Sequence, residues 1–297
     1  MNAIEFSQQK ELKEVINEHI KTSAIYCFGR HATAYSFSRK IYPDKELQKE
    51  HSHLYLLVFV QGTKDNAVSD ISDKIKAKTQ GALTATVLIH HLQSLKDLCQ
   101  DQQFFFWQIM QNGELLFQDI NKPPYLNVSE TPKRNLKSTS HYIAWRRNNI
   151  ATIWGWVYND DDDASSSDEV KMSALHQIVE QICLSLIRVF VGYTPNHFAL
   201  EYLFNLCEYF TTITADFFPR QTQEDKAIFK LLKQQPNTLR FSKANDVDYL
   251  YYEIMEERCG KFKKQADIVI QTELERLSQI ETVKNQIIEN KNNHGNR

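Results

Sequence analysis

Three groups of side chains in this chain are of types that do chemistry. The stretch AIYCFGRHATAYSF, 24–37, carries an apolar run, Ile25–Phe28, that stops at Gly29 before the cation Arg30. A strand ending in glycine can bring backbone N–H groups to a phosphate, and an arginine beside it can pair with that phosphate. His51, His53, His90 and His91 lie at the ends of strand-like runs. Imidazoles from two neighbouring strands can hold zinc; the plainer reading is strand-end histidines. Gln177, Glu180, Gln181 and Arg188 form one wet stripe on an otherwise apolar helix. Such a stripe lines an interface or forms a polar groove for a phosphate. The acidic run NDDDDASSSDE lacks the glycine and spacing of a calcium loop and reads as a solvated connection.

These residues need elements to hold them. Residues 5–22 read as a polar opening helix, and Ile25–Phe28 as a short buried strand followed by a polar, irregular stretch, 31–50. HLYLLVFV, 53–60, is a continuous run of branched and aromatic residues, the pattern of a strand buried on both faces. Val68, Ile71 and Ile75 make one stripe of an amphipathic helix that Gly81 ends. ALTATVLIH reads as a third strand, with helical LQSLKDLCQ and QQFFFWQIMQNG and a short ELLFQ after it. From about 140 the signals are helical. Ile143, Ile150, Ile153, Trp154 and Val157 mark one helix. Leu175, Ile178, Val179, Ile182, Leu186, Ile187 and Phe190 recur at three and four in the clearest helix, 169–191, which starts at Ser167 or Asp168 and ends at Gly192 and Pro195. Shorter helices follow near 200–210 and 222–235, then a long one from about Asp246.

The expected fold is therefore an α+β N-terminal domain, a small mixed sheet with helices over 1–122, a proline-bearing linker over 123–139, and an all-α C-terminal helical bundle over 140–297. The 297 residues suffice for two ordinary domains. A formal net charge of −2 gives no global field toward nucleic acid or anionic lipid. Cys27, Cys99, Cys183, Cys207 and Cys259 show no C-x-x-C pair and read as reduced core thiols. No signal-peptide pattern and no run of membrane-span length is read, so a cytoplasmic location without membrane partners is expected. Trp145, Trp154 and Trp156 read as core, with base stacking as the alternative for one of them.

The first domain resembles the minimal nucleotidyltransferases of the polymerase-β-like superfamily. IYCFG is similar to the strand before that family's Gly-Ser turn, HSHLYLLVFV to the strand that opens on its Asp-x-Asp pair, and FFFWQIMQNGELLFQ to its closing helix and strand. The second domain resembles the HEPN family of helical domains, often fused to such a nucleotidyltransferase. ALHQIVEQICLSLIRVFVGYTPNHFALEYLFNLC, 174–207, is similar to its central helix, Gly-Tyr-x-Pro turn and next helix, and DVDYLYYEIMEERCGKFKKQA to its closing helix. The two resemblances cover nearly the whole chain.

The departures decide the expected activity. The resemblance implies a serine where Arg30 stands and two aspartates where His53 and Tyr55 stand; GALTATVLIHH lacks the third acid. Nucleotidyl transfer needs Mg²⁺ held by carboxylates, and an imidazole and a phenol do not replace them. Members of the HEPN family that cut RNA carry a closely spaced Arg and His. Here eight residues separate Arg188 from His197, and the one pair of suitable spacing, Arg134 and His141, falls at the linker. The resemblance thus implies a catalytically degenerate fusion that binds a nucleotide or a partner in a cleft between its domains, in a defence, toxin–antitoxin or mobile-element setting. Gly29, Arg30, His53, Tyr55 and Glu180 are its candidate nucleotide-binding residues, with no cofactor or metal expected, magnesium least of all, and a homodimer formed through the helical domain. Two alternatives stand beside it. One is an RNA-processing enzyme with a non-standard Arg188/His197 pair as catalytic candidates. The other is a nucleic-acid-binding accessory factor, which a continuous Lys/Arg stripe would support and a mixed face would oppose.

Overall fold

The structure, a computed structural model, describes residues 6–37, 47–62, 66–95, 98, 100–126, 131–158, 168–234 and 249–294. Cys99, most of the acidic run at 159–169 and the start near Asp246 expected for the last helix lie outside the described residues. The chain divides into two compact units, Met1–Lys133 and Arg134–Arg297. The division falls inside the segment expected as a linker. A small mixed sheet with helices makes up the first unit, and the described elements of the second are helices.

Unit 1 runs α1 (Phe6–His19), β1 (Thr22–Phe37), β2 (Leu47–Val60), α2 (Ala67–Lys78), β3 (Leu83–His91), a 3₁₀ turn (Leu92–Leu95), α3 (Gln100–Asn112) and β4 (Glu114–Gln118). The sheet order is β3-β2-β1-β4, with β2 and β3 parallel and the other pairs antiparallel. The run HLYLLVFV sits at the centre, since β2 is paired on both edges. Leu54 to Val60 are each at most 3% exposed. On one face Leu54, Leu56, Val58 and Val60 pack with Leu12 and Ile16 of α1 and Ile71 and Ile75 of α2. On the other face α3 sets Phe105 edge-on to Phe28 at 6.0 Å and Phe106 against Phe59 at 6.1 Å. Each such buried side chain contributes about 1.5–3 kcal/mol over its exposed state.

The first strand differs from expectation. It does not stop at Gly29; it continues to Phe37, and β2 begins at Leu47, so much of the stretch read as irregular is an antiparallel hairpin. Backbone hydrogen bonds satisfy such a ladder whatever the side chains are, and polar composition alone does not reveal it. The helix read over LQSLKDLCQ is, among the described residues, only the 3₁₀ turn. Gly81 does end α2: its φ of +80° suits glycine, and its N–H donates to the Lys76 carbonyl at 2.8 Å.

Unit 2 runs α4 (Leu136–Tyr158), α5 (Asp168–Val191), α6 (Leu200–Cys207), α7 (Ile213–Phe217), α8 (Gln223–Leu232) and α9 (Tyr249–His294). α4 starts four residues before the expected 140. α5 is the hub, packed by α4, α6, α8 and α9. Its residues Leu175, Ile178, Val179, Ile182, Leu186 and Ile187 are at most 2% exposed, as the three–four spacing implies. The stretch Val170–Val191 is long and apolar enough to cross a membrane, contrary to the sequence reading, yet 72% of its most apolar window is buried among the other helices. Gly192, at φ +73°, closes α5 with an N–H to the Arg188 carbonyl at 3.0 Å. α8 opens on a reciprocal cap: Asp225 N–H donates to Thr222 Oγ at 3.0 Å, and Thr222 N–H to the Asp225 carboxylate at 3.4 Å. Cys27, Cys183, Cys207 and Cys259 are free and buried.

One core contact gives unit 1 a pH dependence. The His90 ring meets Phe106 edge-on at 4.8 Å, and burial pulls its pKa down to about 4 from the usual 6.5. The unfolded chain therefore binds the proton first, so stability falls as pH drops from about 6.5 to 4 and is flat in this respect above that window. We expect His90→Phe to remove a slope of at most about 1.4 kcal/mol per pH unit, read from urea midpoints across that range.

Candidate functional site

A bulge decides what the first unit can do. Along β1, Cys27 pairs with Leu56, but Gly29 pairs with Tyr55, so Phe28 is an extra residue in the ladder. Strict alternation from Cys27 would put Arg30 on the face of Phe28. The bulge reverses the phase: Arg30 pairs with Leu54 and lies on the α1/α2 face, while His53 and Tyr55 lie on the α3 face. Arg30 donates from Nε and Nη2 to Ser52 Oγ at 3.3 and 3.0 Å. His53 is held by threonines of β3, Nδ1 to Thr84 Oγ at 2.8 Å and Nε2 to Thr86 Oγ at 2.9 Å. Tyr55 is 3% exposed and packs between His53, with ring centroids 5.0 Å apart, and Phe28, at 6.0 Å. Gly29 lies inside the ladder and forms no phosphate turn. Gly29, His53 and Tyr55 thus lie together on the α3 face of the sheet, while Arg30 lies on the opposite face.

The four histidines fall into two pairs at opposite ends of β3. His51 Nε2 shares Thr84 Oγ with His53 at 3.1 Å. His90 and His91 pair with Phe59 and Val60 at the other end of β3, and His91 Nε2 meets the Gln61 carbonyl at 3.1 Å. Among the described residues no group of three or more His, Cys, Asp or Glu stands together as a metal site.

The charged groups that do converge lie in unit 2, along the antiparallel seam of α4 and α5. Arg188 is 4% exposed and Arg146 is 8% exposed. Arg188 Nη1 donates to the Gly192 carbonyl at 3.3 Å, and Nη2 to Ser138 Oγ at 3.3 Å. Arg146 Nη2 donates to the Tyr142 hydroxyl at 2.7 Å, and Nη1 to Gln181 Oε1. Ser138, Tyr142 and Arg146 are four residues apart and share one stripe of α4. The Tyr142 ring takes both cations, its centroid 4.6 Å from the Arg146 guanidinium carbon and 5.6 Å from that of Arg188. Trp145, one turn along, has its centroid 4.9 Å from the Arg146 guanidinium carbon.

Arg134 closes one end of the seam. Its Nη2 donates to the Arg188 carbonyl at 3.0 Å and to the Val189 carbonyl, capping the C-terminal carbonyls of α5. Burial pulls its pKa down to about 10, Glu273 opposes this, and Arg188 and Arg276 add to it. Glu180 closes the other end, bridged to Arg146 through Gln181, whose Nε2 donates to Glu180 at 3.5 Å. Burial raises the Glu180 pKa and the Arg146 charge opposes that rise. Three guanidinium groups thus gather along one helix pair, and both acceptors described for Arg146 are neutral.

The catalytic candidates part company here. Arg188 turns inward to the seam. His197 lies before α6, its ring edge-on to Tyr202 at 4.9 Å, and burial lowers its pKa. The described hydrogen bonds of Arg188 go to Gly192, Thr194 and Ser138, so the two do not form an acid–base pair. Of the linker pair, Arg134 is the helix cap and His141 is exposed. Of the stripe Gln177, Glu180, Gln181 and Arg188, the last three lie along the seam and Gln177 is exposed. Sequence reading missed Tyr142 and Arg146. The signal was present: Arg146 falls in the stripe Thr139, Ile143, Ile150, Val157, where a cation interrupts an apolar face. Beside the seam an open groove of about 660 Å³ runs between α4 and α9, crossed by the Arg147–Asp267 ion pair at 3.2 Å.

Comparison with protein-family models and with curated proteins finds no match for this chain.

The two halves of the expected sheet site differ in stability terms. Tyr55→Ala empties a buried ring site and should cost about 3–5 kcal/mol. Arg30→Ala removes a partly exposed bond to one hydroxyl and should cost about 1 kcal/mol. Denaturant titration of both variants checks this order; equal costs would mean that Arg30 is structural.

Proposed function

We propose that this chain is a binding protein for a phosphate-bearing ligand, a nucleotide or a nucleotide-bearing partner, and that it performs no nucleotidyl transfer or RNA cleavage. The binding site lies at the α4/α5 seam rather than at the sheet. The observation that carries it is Arg146: a buried guanidinium whose described acceptors, Gln181 and the Tyr142 hydroxyl, are both neutral. A guanidinium stays charged at any ordinary pH, and in a low-dielectric seam its field is poorly screened. An oxyanion that replaces a neutral acceptor makes a bond about twice as strong. The fork of Arg146 and the positive seam behind it supply the attraction. Glu180 is the opposing charge; burial raises its pKa and the Arg146 charge opposes that rise.

The lack of transfer rests on side-chain chemistry. His53 and Tyr55 hold the positions where the resemblance implies carboxylates, and Tyr55 is buried. Cleavage by the alternative Arg188/His197 pair is opposed by the separate environments of the two residues.

Calorimetry with pyrophosphate and ATP, with and without Mg²⁺, tests the reading. Binding should be saturable and independent of Mg²⁺. Arg146→Gln should weaken it about 10- to 100-fold, the value of one lost charge-assisted bond at about 1.5–3 kcal/mol. Glu180→Gln should strengthen it, because a like charge is removed. Mg²⁺-dependent release of pyrophosphate from ATP, cleavage of RNA abolished by His197→Ala, or no binding of either probe would overturn it.

A further inference from the structure

We propose that the phosphate held at the Arg146 seam belongs to a free nucleotide whose base stacks on Trp145. The inference rests on the anion reading above and adds the ligand class.

Trp145 is 55% exposed, an unusual position for so large an apolar ring. One side of its indole is turned to the Arg146 guanidinium at 4.9 Å, so the exposed share belongs to the remaining face and edge. Arg146 is fixed in turn by Tyr142, its ring 4.6 Å and its hydroxyl 2.7 Å away. The indole is therefore a braced platform rather than a swinging side chain. The Tyr142 and Trp145 rings are tilted 56° to each other at 6.4 Å with Arg146 between them, and a base would lie on the indole face turned away from Arg146. Every base has a π-face, and stacking on an aromatic side chain is a general means of holding one. Within a nucleotide, one sugar joins phosphate to base, so an anion site and a stacking platform in direct contact match its two ends. Inorganic phosphate or a sugar phosphate would leave the indole uncovered.

The flank of α4 points to a free nucleotide over a polymer. A strand of RNA needs a run of cations along its backbone. Beside Trp145 the charges alternate: Arg147 is paired with Asp267 at 3.2 Å, and Lys263 shares the groove with Glu275. Of the cations there, Arg147 faces a carboxylate and Lys263 lies over the Trp154 ring at 5.6 Å, and among the described residues no run of cations extends along α4 from Trp145 to the exposed Trp156.

Tryptophan fluorescence and calorimetry on the full chain test this with AMP, ATP, pyrophosphate and a short single-stranded RNA. AMP and ATP should quench fluorescence, and pyrophosphate should not. Trp145→Leu should weaken both nucleotides about 5- to 100-fold and leave pyrophosphate unchanged. Trp145→Tyr, which keeps a ring, should restore most of the affinity, and the thermal midpoint of both variants should match the parent. If pyrophosphate binds through Arg146 but Trp145→Leu leaves AMP and ATP unchanged, stacking is wrong and the anion site stands. If RNA binds far more tightly than ATP with a steep salt dependence, the ligand is a polymer and the inference fails. If no probe binds the parent chain, both readings fall together.

Discussion

A guanidinium cannot shed its charge, so wherever it is buried its N–H groups must find acceptors, and the second unit is built around that requirement. α5 is the hub of the helices, and its apolar residues demand burial on nearly every side. Arg188 is carried inward by the same helix. Its described donors find the Gly192 carbonyl, Thr194 and Ser138. The positive φ of Gly192 turns that carbonyl back over the helix end, and Ser138 holds α4 at the register where Tyr142 covers Arg188. With that register set, Arg146 meets Gln181, and the rest of the seam follows. The packing of α4 on α5 is a polar ladder as much as a hydrophobic contact.

Such a ladder is costly unless its members are satisfied, since an unpaired buried charge costs several kcal/mol. Arg146 meets the requirement with neutral acceptors. Nη1 and Nη2 are bonded to those acceptors, the buried Nε has no hydrogen-bond partner, and much of the positive field is not cancelled. The nearby Glu273 is engaged by Arg276 through two bonds of 2.6 and 2.7 Å, which leaves it a divided counter-charge for Arg134. Glu180 is the carboxylate that acts on Arg146, and burial makes its charged form expensive. The proposed anion site rests on these electrostatics. A purely structural seam could dispense with the charge, because buried ion networks can often be replaced by apolar packing without loss.

Much of the fold was legible in the sequence because it follows from periodicity. The apolar run of β2 and the three–four spacing of α5 are statements about burial, and burial decides both elements. Gly81 and Gly192 were legible because a helix end in the left-handed region favours glycine. The hairpin beyond Gly29 was not, because antiparallel pairing is made by backbone groups and leaves little trace in polar side chains. The bulge at Phe28 was less legible still. One extra residue in a ladder changes no composition and breaks no pattern, yet it moves every later side chain of β1 to the opposite face.

That single residue separates the two kinds of evidence a sequence gives about a site. The resemblance groups Arg30, His53 and Tyr55 at the positions of one family's site, and in an unbulged ladder Arg30 would have shared the α3 face with the other two. The wet stripe of α5 was grouped by helical spacing, which has no equivalent of a one-residue phase error over two turns. Glu180, Gln181 and Arg188 accordingly stayed together, and the missing half of their seam lay in α4, where Arg146 looked like an interruption of a core stripe. A charge inside an apolar helical stripe is informative for the same reason that an acid missing from a strand is: in each case the residue defies what its position would otherwise select, and something in the fold must compensate. For Arg146 that compensation is a hydroxyl, an amide and two rings, a set that holds the cation in place without neutralising it.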